Sequence, residues 1–402
     1  MKIRRATVVM VSIFVVLAGL LGGLWYRYVR PLTHEEAIHE IHAAFADSQA
    51  KNTPSSGIQV RIVSSHFGVD DAFAIGTYHA DGEHALTPNQ PFHVASIGKL
   101  FTAVTMMQLA EEGKLEIADP VSKYLPTDVL SGLFVVSGVD YAGEVTISQL
   151  MEHTSGVADY FADPVDSGLT VQQDIVANQQ TVWTPAALLA VSRTRQHAVG
   201  APGKQFHYSD TGYILLGLLI ESVEQKPFHD VLAYRFFEPL GMVDTYMPFR
   251  SKPINPRPLP MADTWLDGVN IRSAQSITAD WAGGGVVSTP DDLLRFAQAL
   301  HTYKLISKES YLRMITMRNQ FMTGLYYGVG VMAVRFGEFS WTLDYLPESL
   351  GHLGILATHL WYEPLTDTYI IMNFGSNAQL ESSFGDFITL ETTLRRISLP
   401  QP

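Results

Sequence analysis

Ser96 and Lys99 stand three residues apart in Phe92-His93-Val94-Ala95-Ser96-Ile97-Gly98-Lys99-Leu100-Phe101. A serine hydroxyl is a poor nucleophile at neutral pH and needs a base. On a helix, residues i and i+3 share a face, so the lysine amine reaches the hydroxyl. A lysine serves as a base where desolvation lowers its pKa. The first turn of a helix also offers backbone N–H groups to a developing oxyanion. The pair points to nucleophilic acyl chemistry. A chain of 402 residues holds about one Ser-x-x-Lys by chance, and a second, Ser48-Gln49-Ala50-Lys51, is present. Only Ser96 opens a strongly apolar stretch (Leu100, Phe101, Ala103, Val104, Met107, Leu109) that closes at Gly113.

Two later segments carry further chemistry. Phe206-His207-Tyr208-Ser209-Asp210-Thr211-Gly212-Tyr213 precedes an apolar helix, and Tyr208 is the one tyrosine followed two residues later by Asp or Asn. Gly351-His352-Leu353-Gly354 precedes a strand. Glycine there lets a substrate backbone approach a sheet edge, and His352 can donate a hydrogen bond or share proton traffic. Other polar groups read as structural. His153-Thr154-Ser155-Gly156 looks like a turn and helix cap, and Asp291 and Asp292 like helix-start residues. His66-Phe67-Gly68 lies upstream of Ser96, out of order. His34, His39 and His42 with Glu35, Glu36 and Glu40 lack metal-ligand spacing and read as a solvated helix face. No metal or other cofactor is expected.

The elements that must position these residues can be read from periodicity. His34 to Ser48 predicts an amphipathic helix, with Ile38, Ile41, Ala44 and Phe45 on one stripe. Lys51 to Gly57 reads as a linker. Ile58 to Ser64 and Ala72 to Tyr78 predict strands, and a broken helical middle runs from about Ser96 to Leu300, including a helix from Ile214 to Val223. Tyr327 to Arg335, Ala357 to Tyr362 and Thr368 to Phe374 predict strands again, and Leu380 to Ile397 a closing helix. Strands at both ends with helices between them predict an α+β sheet domain carrying a helical subdomain.

Taken in order, Ser-x-x-Lys at Ser96, Tyr-x-Asp at Tyr208 and His-x-Gly at His352 resemble the penicillin-binding-protein and class C β-lactamase superfamily. Leu150-Met151-Glu152-His153-Thr154-Ser155-Gly156-Val157, Ala282-Gly283-Gly284-Gly285-Val286-Val287-Ser288-Thr289-Pro290 and Gly328-Val329-Gly330 resemble further segments of it, over roughly residues 58 to 395. The resemblance implies an antiparallel sheet flanked by helices with an inserted all-α subdomain. It implies acyl transfer through a covalent intermediate on Ser96, with Lys99 and Tyr208 handling its proton. Asp210, His352 and Gly354 would bind substrate. The oxyanion hole would be the N–H of Ser96 and one near Ile355 or Leu356. Two departures stand out. Asp210 replaces the more usual Asn; a carboxylate accepts but does not donate, and it favours a charged Lys99. Ile355 to Leu360 is bulkier than the Gly-rich stretch common there, which narrows the pocket.

Composition bounds the rest. There are 27 Lys and Arg against 40 Asp and Glu, a net charge of −13, which argues against nucleic-acid binding. No cysteine is present, which excludes disulfides, thiolate metal sites and a cysteine nucleophile. Ala6 to Tyr26 gives 21 consecutive uncharged residues, enough for about 30 Å of helix, with Trp25, Tyr26 and Tyr28 at headgroup level. Val16-Leu17-Ala18 resembles a signal cleavage site, but Gly19 to Trp25 stays apolar beyond it, which favours a retained anchor. Lys2, Arg4 and Arg5 before the span orient the body outside the cytoplasm. The expected organisation is a transmembrane anchor over 1–30, an amphipathic helix and linker over 31–57, and a hydrolase domain over 58–397. The expected partners are the membrane and a small-molecule or peptide acyl substrate. The expected activity is D,D-peptidase-like, D-aminopeptidase-like or esterase-like, with β-lactamase or a non-catalytic cell-wall-binding receptor as alternatives.

Overall fold

Residues 29–51 and 57–399 are described by a computed structural model. The predicted anchor, Ala6 to Tyr26, lies outside them, as does most of the predicted linker. Among the described residues no helix is long and apolar enough to cross a membrane.

Eight antiparallel strands form one sheet: β1 (Gly57–Ser64), β2 (Val69–Gly76), β3 (Asn319–Met322), β4 (Leu325–Tyr327), β5 (Met332–Val334), β6 (Ser349–Gly354), β7 (Thr358–Glu363) and β8 (Thr368–Asn373). Their order is β2-β1-β8-β7-β6-β5-β4-β3. The early hairpin therefore docks on the last strand, with Gln59 opposite Asn373. Helices α1 (His34–Lys51), α2 (Gly98–Glu111), α3 (Asp210–Glu224), α4 (Pro290–His301) and α5 (Leu380–Leu394) cover its two faces.

β8 shows why the late strands read as continuous apolar runs. Side chains alternate along a strand, and here both faces are covered. Ile370 and Met372 pack with Ile41 and Phe45 of α1 and Phe387 and Leu390 of α5. Tyr369 and Ile371 face the other way, into the core shared with α2, α3 and α4. That second core holds the helical insertion between β2 and β3.

Several boundaries differ from the sequence reading. The single strand expected over Tyr327 to Arg335 is two strands, β4 and β5, paired with Tyr327 opposite Met332. The reversal falls at Gly328-Val329-Gly330, where Gly330 has φ +74° and a Cβ would sit 2.2 Å from Cβ of Ala103. β2 starts at Val69, three residues before the expected start, and β7 starts after Ala357, whose φ of +55° belongs to the turn. The helix expected from Ile214 starts at Asp210, so the Tyr-x-Asp segment runs into the helix instead of preceding it. α1 runs on to Lys51 and α5 stops at Leu394.

Candidate active site

Ser96 lies in a 3-10 turn, Ala95–Ile97, that feeds directly into α2. Ala95 has φ +50°, a region sparsely populated by residues other than glycine. Its N–H donates to Nδ1 of His93 at 3.2 Å. Two neighbours press on this turn, and each needs glycine. A Cβ on Gly98 would lie 2.8 Å from Cα of Gly284. A Cβ on Gly354 would lie 2.2 Å from Oγ1 of Thr358 and 2.9 Å from Cβ of Ala95. Gly354 therefore brings the end of β6 against the serine turn, and Thr358 fastens it with a 2.8 Å hydrogen bond to the Val94 carbonyl.

Lys99 is fully buried. Its ammonium donates to Oγ of Ser96 at 3.1 Å, to the carbonyl of Gly283 at 2.8 Å and to Oδ1 of Asp210. Three protons meet three acceptors, so the charged amine has no lone pair left. The rings of Tyr208 and Tyr213 face it, with centroids 5.0 and 5.3 Å from Nζ. Burial alone pulls the lysine pKa down, but Asp210 and then Tyr208 outweigh it, and the net shift is upward. In this geometry Lys99 is a held cation.

Tyr208 lies in the loop before α3, and its hydroxyl interacts with both Lys99 and Ser96. Burial raises its pKa to about 12, with Lys99 opposing and Asp210 adding to the rise. The ring stacks on His153, centroids 4.1 Å apart, and meets Phe321 edge-on at 5.5 Å. Asp210 opens α3. Its N–H is bound by Oδ1 of Asp159 at 3.0 Å, and the same carboxylate takes the N–H groups of Phe161 and Ala162. Burial, then Asp210, pushes the Asp159 carboxyl upward.

The sequence-predicted residues are thus gathered unevenly. Ser96, Lys99, Tyr208 and Asp210 interact with one another, and Gly354 abuts the residue before Ser96. His352 makes its hydrogen bonds to other residues. It is fully buried, its Nδ1 donates to the Leu353 carbonyl at 2.8 Å, and its Nε2 accepts from the Tyr327 hydroxyl at 3.2 Å. Burial, helped by Lys99, lowers its pKa to about 3. The Tyr213 hydroxyl donates to the Met151 carbonyl at 3.2 Å and lies 3.3 Å from the Tyr327 hydroxyl.

Sequence reasoning missed His153 as the support of Tyr208, Tyr213 as a wall of the lysine site and Gly283 as an acceptor for Lys99. The one available signal was the glycine run Gly283 to Gly285, whose physical role is close backbone approach to the serine turn.

The arrangement supports attack by Ser96 next to a fixed positive charge, with Tyr208 placed to pass a proton. Comparison with known proteins agrees with this architecture. The profile of the family described as Beta-lactamase matches residues 61–387. The chain is 29% identical over 259 residues to penicillin-binding protein 4* of Bacillus subtilis (strain 168), covering 58% of this chain and 51% of that protein. The chain thus spans about half the length of the curated relatives it matches. A D-stereospecific amidohydrolase from Streptomyces sp. superposes with a TM-score of 0.70 at 23% identity, over 85% of this chain and 95% of that one. The D-amino acid amidase of Ochrobactrum anthropi SV3, in complex with D-phenylalanine, gives 0.71 at 21% identity, over 90% and 98%.

Proposed function

The chain belongs to the beta-lactamase family, and from that premise we propose that it is a membrane-anchored serine hydrolase working through an acyl-enzyme on Ser96. The observation that carries this reading is the 3.1 Å contact from the charged Lys99 ammonium to Oγ of Ser96, with the Tyr208 hydroxyl interacting with both.

In the proposed cycle Oγ of Ser96 attacks the scissile carbonyl. Its proton passes to Tyr208 as the tyrosine's own proton goes to the leaving amine or alcohol, so no free base has to exist beforehand. The Lys99 charge stabilises the forming alkoxide, and the N–H groups of Ser96 and of Ile355 or Leu356 stabilise the oxyanion. Water then attacks the acyl ester, its proton passing to Tyr208 as the tyrosine's own proton goes to the departing Oγ of Ser96. Asp210 is proposed to steer the site away from β-lactams, since a carboxylate cannot donate to a substrate carbonyl. D,D-peptidase-like, D-aminopeptidase-like or esterase-like cleavage is the resulting class, and the likeness to a D-stereospecific amidohydrolase and a D-amino acid amidase supports it.

The test is labelling with a fluorophosphonate and with a fluorescent penicillin, using Ser96→Ala as control. Fluorophosphonate labelling that disappears in Ser96→Ala supports the proposal. Labelling that survives the substitution sinks it, and no labelling by either probe favours a binding protein. The anchor over Ala6 to Tyr26 is tested separately: the full chain should stay in the membrane pellet after alkaline carbonate extraction.

A further inference from the structure

Ser64, the last residue of β1, stands opposite Thr368 of β8, and Glu363 of β7 is paired with the same Thr368. Val334 of β5 is paired with Ser349 of β6. The turns at 65–68 and 364–367 and the connection 335–348 therefore leave the same end of the sheet. The start of the described chain lies there too. Leu32 bridges Ile397, and the Arg30 carbonyl accepts from Nε of Arg396 at 3.2 Å. Arg395 and Arg396 follow α5, and Arg395 is held by Glu363 at 2.6 Å.

This end presents large apolar side chains to the outside. Trp341 is 85% exposed, Leu365 77% and Tyr345 60%. Leu365 sits on the 364–367 turn, and its N–H donates to the Glu363 carboxylate at 2.6 Å. Trp341 opens a 3-10 turn, Trp341–Leu343, in the 335–348 connection. Tyr345 follows that turn, within electrostatic reach of Arg395 and Arg396. Arg30, Arg335, Arg395 and Arg396 are each paired with a carboxylate, Glu36 at 3.1 Å, Glu348 at 2.8 Å, Glu363 at 2.6 Å and Glu40 at 2.8 Å. These four arginines thus form no free basic cluster that would select anionic lipid.

Trp and Tyr favour the headgroup level of a bilayer, and the length of the leash fixes how near the headgroups are. Arg30 follows Tyr26, the end of the uncharged run, by four residues, which is about 14 Å at full extension. The headgroup layer is about 5–8 Å thick. A retained anchor therefore keeps this end of the sheet at the bilayer surface. Gly354 abuts the serine turn from the other end of β6, about 17 Å away, so contact at the Trp341 end leaves the cleft in water. We propose that Trp341, Tyr345 and Leu365 dock the domain on the headgroup layer, so that it rests on the membrane in one orientation instead of swinging on its anchor. The inference rests on the reading of Ala6 to Tyr26 as a retained anchor and goes beyond it. The contact is apolar, so salt does not loosen it.

The chain has no cysteine, so a single labelled cysteine can be placed at will. The test is electron paramagnetic resonance of the full-length protein in phosphatidylcholine vesicles, with a nitroxide on Leu365→Cys, on Tyr345→Cys or on Val182→Cys. Val182 is an exposed residue of the helical insertion and serves as the aqueous control. Collisions with a water-soluble nickel chelate, set against collisions with oxygen, read the depth of each label. The labels on Leu365→Cys and Tyr345→Cys are expected to meet the chelate about threefold less often than the control, with or without added salt. Adding Trp341→Ser is expected to return the Leu365→Cys label at least halfway to the control value. Equal accessibility at all three positions, in protein that alkaline carbonate leaves in the membrane, overturns the docking and spares the anchor. Protein that carbonate releases overturns both. Protection that salt abolishes, or that Trp341→Ser leaves unchanged, overturns the assignment to these side chains.

Discussion

The imidazole of His153 lies nearly parallel to the ring of Tyr208, with centroids 4.1 Å apart and planes at 30°. The backbone on each side of the tyrosine is tied to the same residue. The His153 carbonyl accepts from His207 N–H at 2.8 Å, and its Nδ1 accepts from Ser209 N–H at 3.0 Å. His153 itself has φ +55°. Strain of that kind persists only where the surroundings over-determine it. Burial first, and then Lys99, holds its pKa far below the ordinary value, so the ring stays a neutral acceptor. One buried residue thus sets both the ring plane and the backbone of the proposed proton carrier.

His153→Ala removes the stacking face and one acceptor but leaves the 2.8 Å carbonyl bond in place. A displaced proton carrier costs on the order of 100-fold. The expected result is a loss of about that size in kcat/KM for an activated ester, carried mostly by kcat. Steady-state kinetics alongside thermal melting checks it. Activity within twofold of the parent in a folded variant means that His153 does not position Tyr208.

Asp210→Asn removes the charge that opposes burial at Lys99. The parent lysine has a raised folded-state pKa, so its pairing stabilises the fold fully below about pH 10 and is lost only as pH rises through the folded value. In the variant only Tyr208 still opposes burial, and the lysine pKa falls. Above that lowered value Lys99 is neutral and becomes a base for Ser96. The expected pH profile of kcat/KM therefore gains a rising limb between about pH 6 and pH 9 that the parent lacks. Acylation by a fluorescent penicillin should rise in parallel. A profile unchanged from the parent removes Asp210 from control of the lysine.

Much of this was legible in the sequence because it rests on local rules. Ser96 and Lys99 are three residues apart, and the apolar run after them demanded a buried helix. The late strands showed themselves through apolar residues on both faces. What stayed hidden depends on non-local approach. Nothing near Tyr208 points to His153, which is 55 residues away and was read as a turn residue. Gly98 looks like an ordinary helix residue until Gly284 is placed against it. The contact of His352 with Tyr327 was not legible either, because the reversal at Gly330 that positions Tyr327 looked like unbroken strand.

Glu391 gives a prediction about stability. It is buried on α5, Ser349 donates to it at 3.4 Å, and Arg395 and Glu363 lie close by. Burial raises its pKa to about 7, with Arg395 opposing and Glu363 adding. The folded state then binds a proton that the unfolded chain releases near pH 4 to 5, so this group's contribution to stability falls as pH rises to about 7 and stays low above it. Glu391→Gln keeps an acceptor for Ser349 without the charge. The variant is expected to gain about 1–3 kcal/mol at pH 8 and little at pH 4, read from denaturant melts. A loss at pH 8 means that Arg395 compensates the buried charge.

Gly98→Ala tests the close approach behind the nucleophile. The new Cβ would lie 2.8 Å from Cα of Gly284 and 3.2 Å from its carbonyl carbon, both backbone atoms that no side-chain rotation can move. Alanine favours helix over glycine by about 1 kcal/mol, which works against the clash. Overpacking of this kind costs about 1–3 kcal/mol, so the net effect on stability is small. The effect on chemistry is expected to be larger. Relief of the clash moves the glycine run away from α2, and Lys99 loses the 2.8 Å bond to Gly283 that fixes its ammonium beside Ser96. The fluorophosphonate labelling rate at Ser96 should fall at least tenfold while the melting temperature changes by only a few degrees. Unchanged labelling means that the Gly283 carbonyl is dispensable for holding Lys99. A large drop in melting temperature without a specific loss of rate assigns the glycine contact to folding alone.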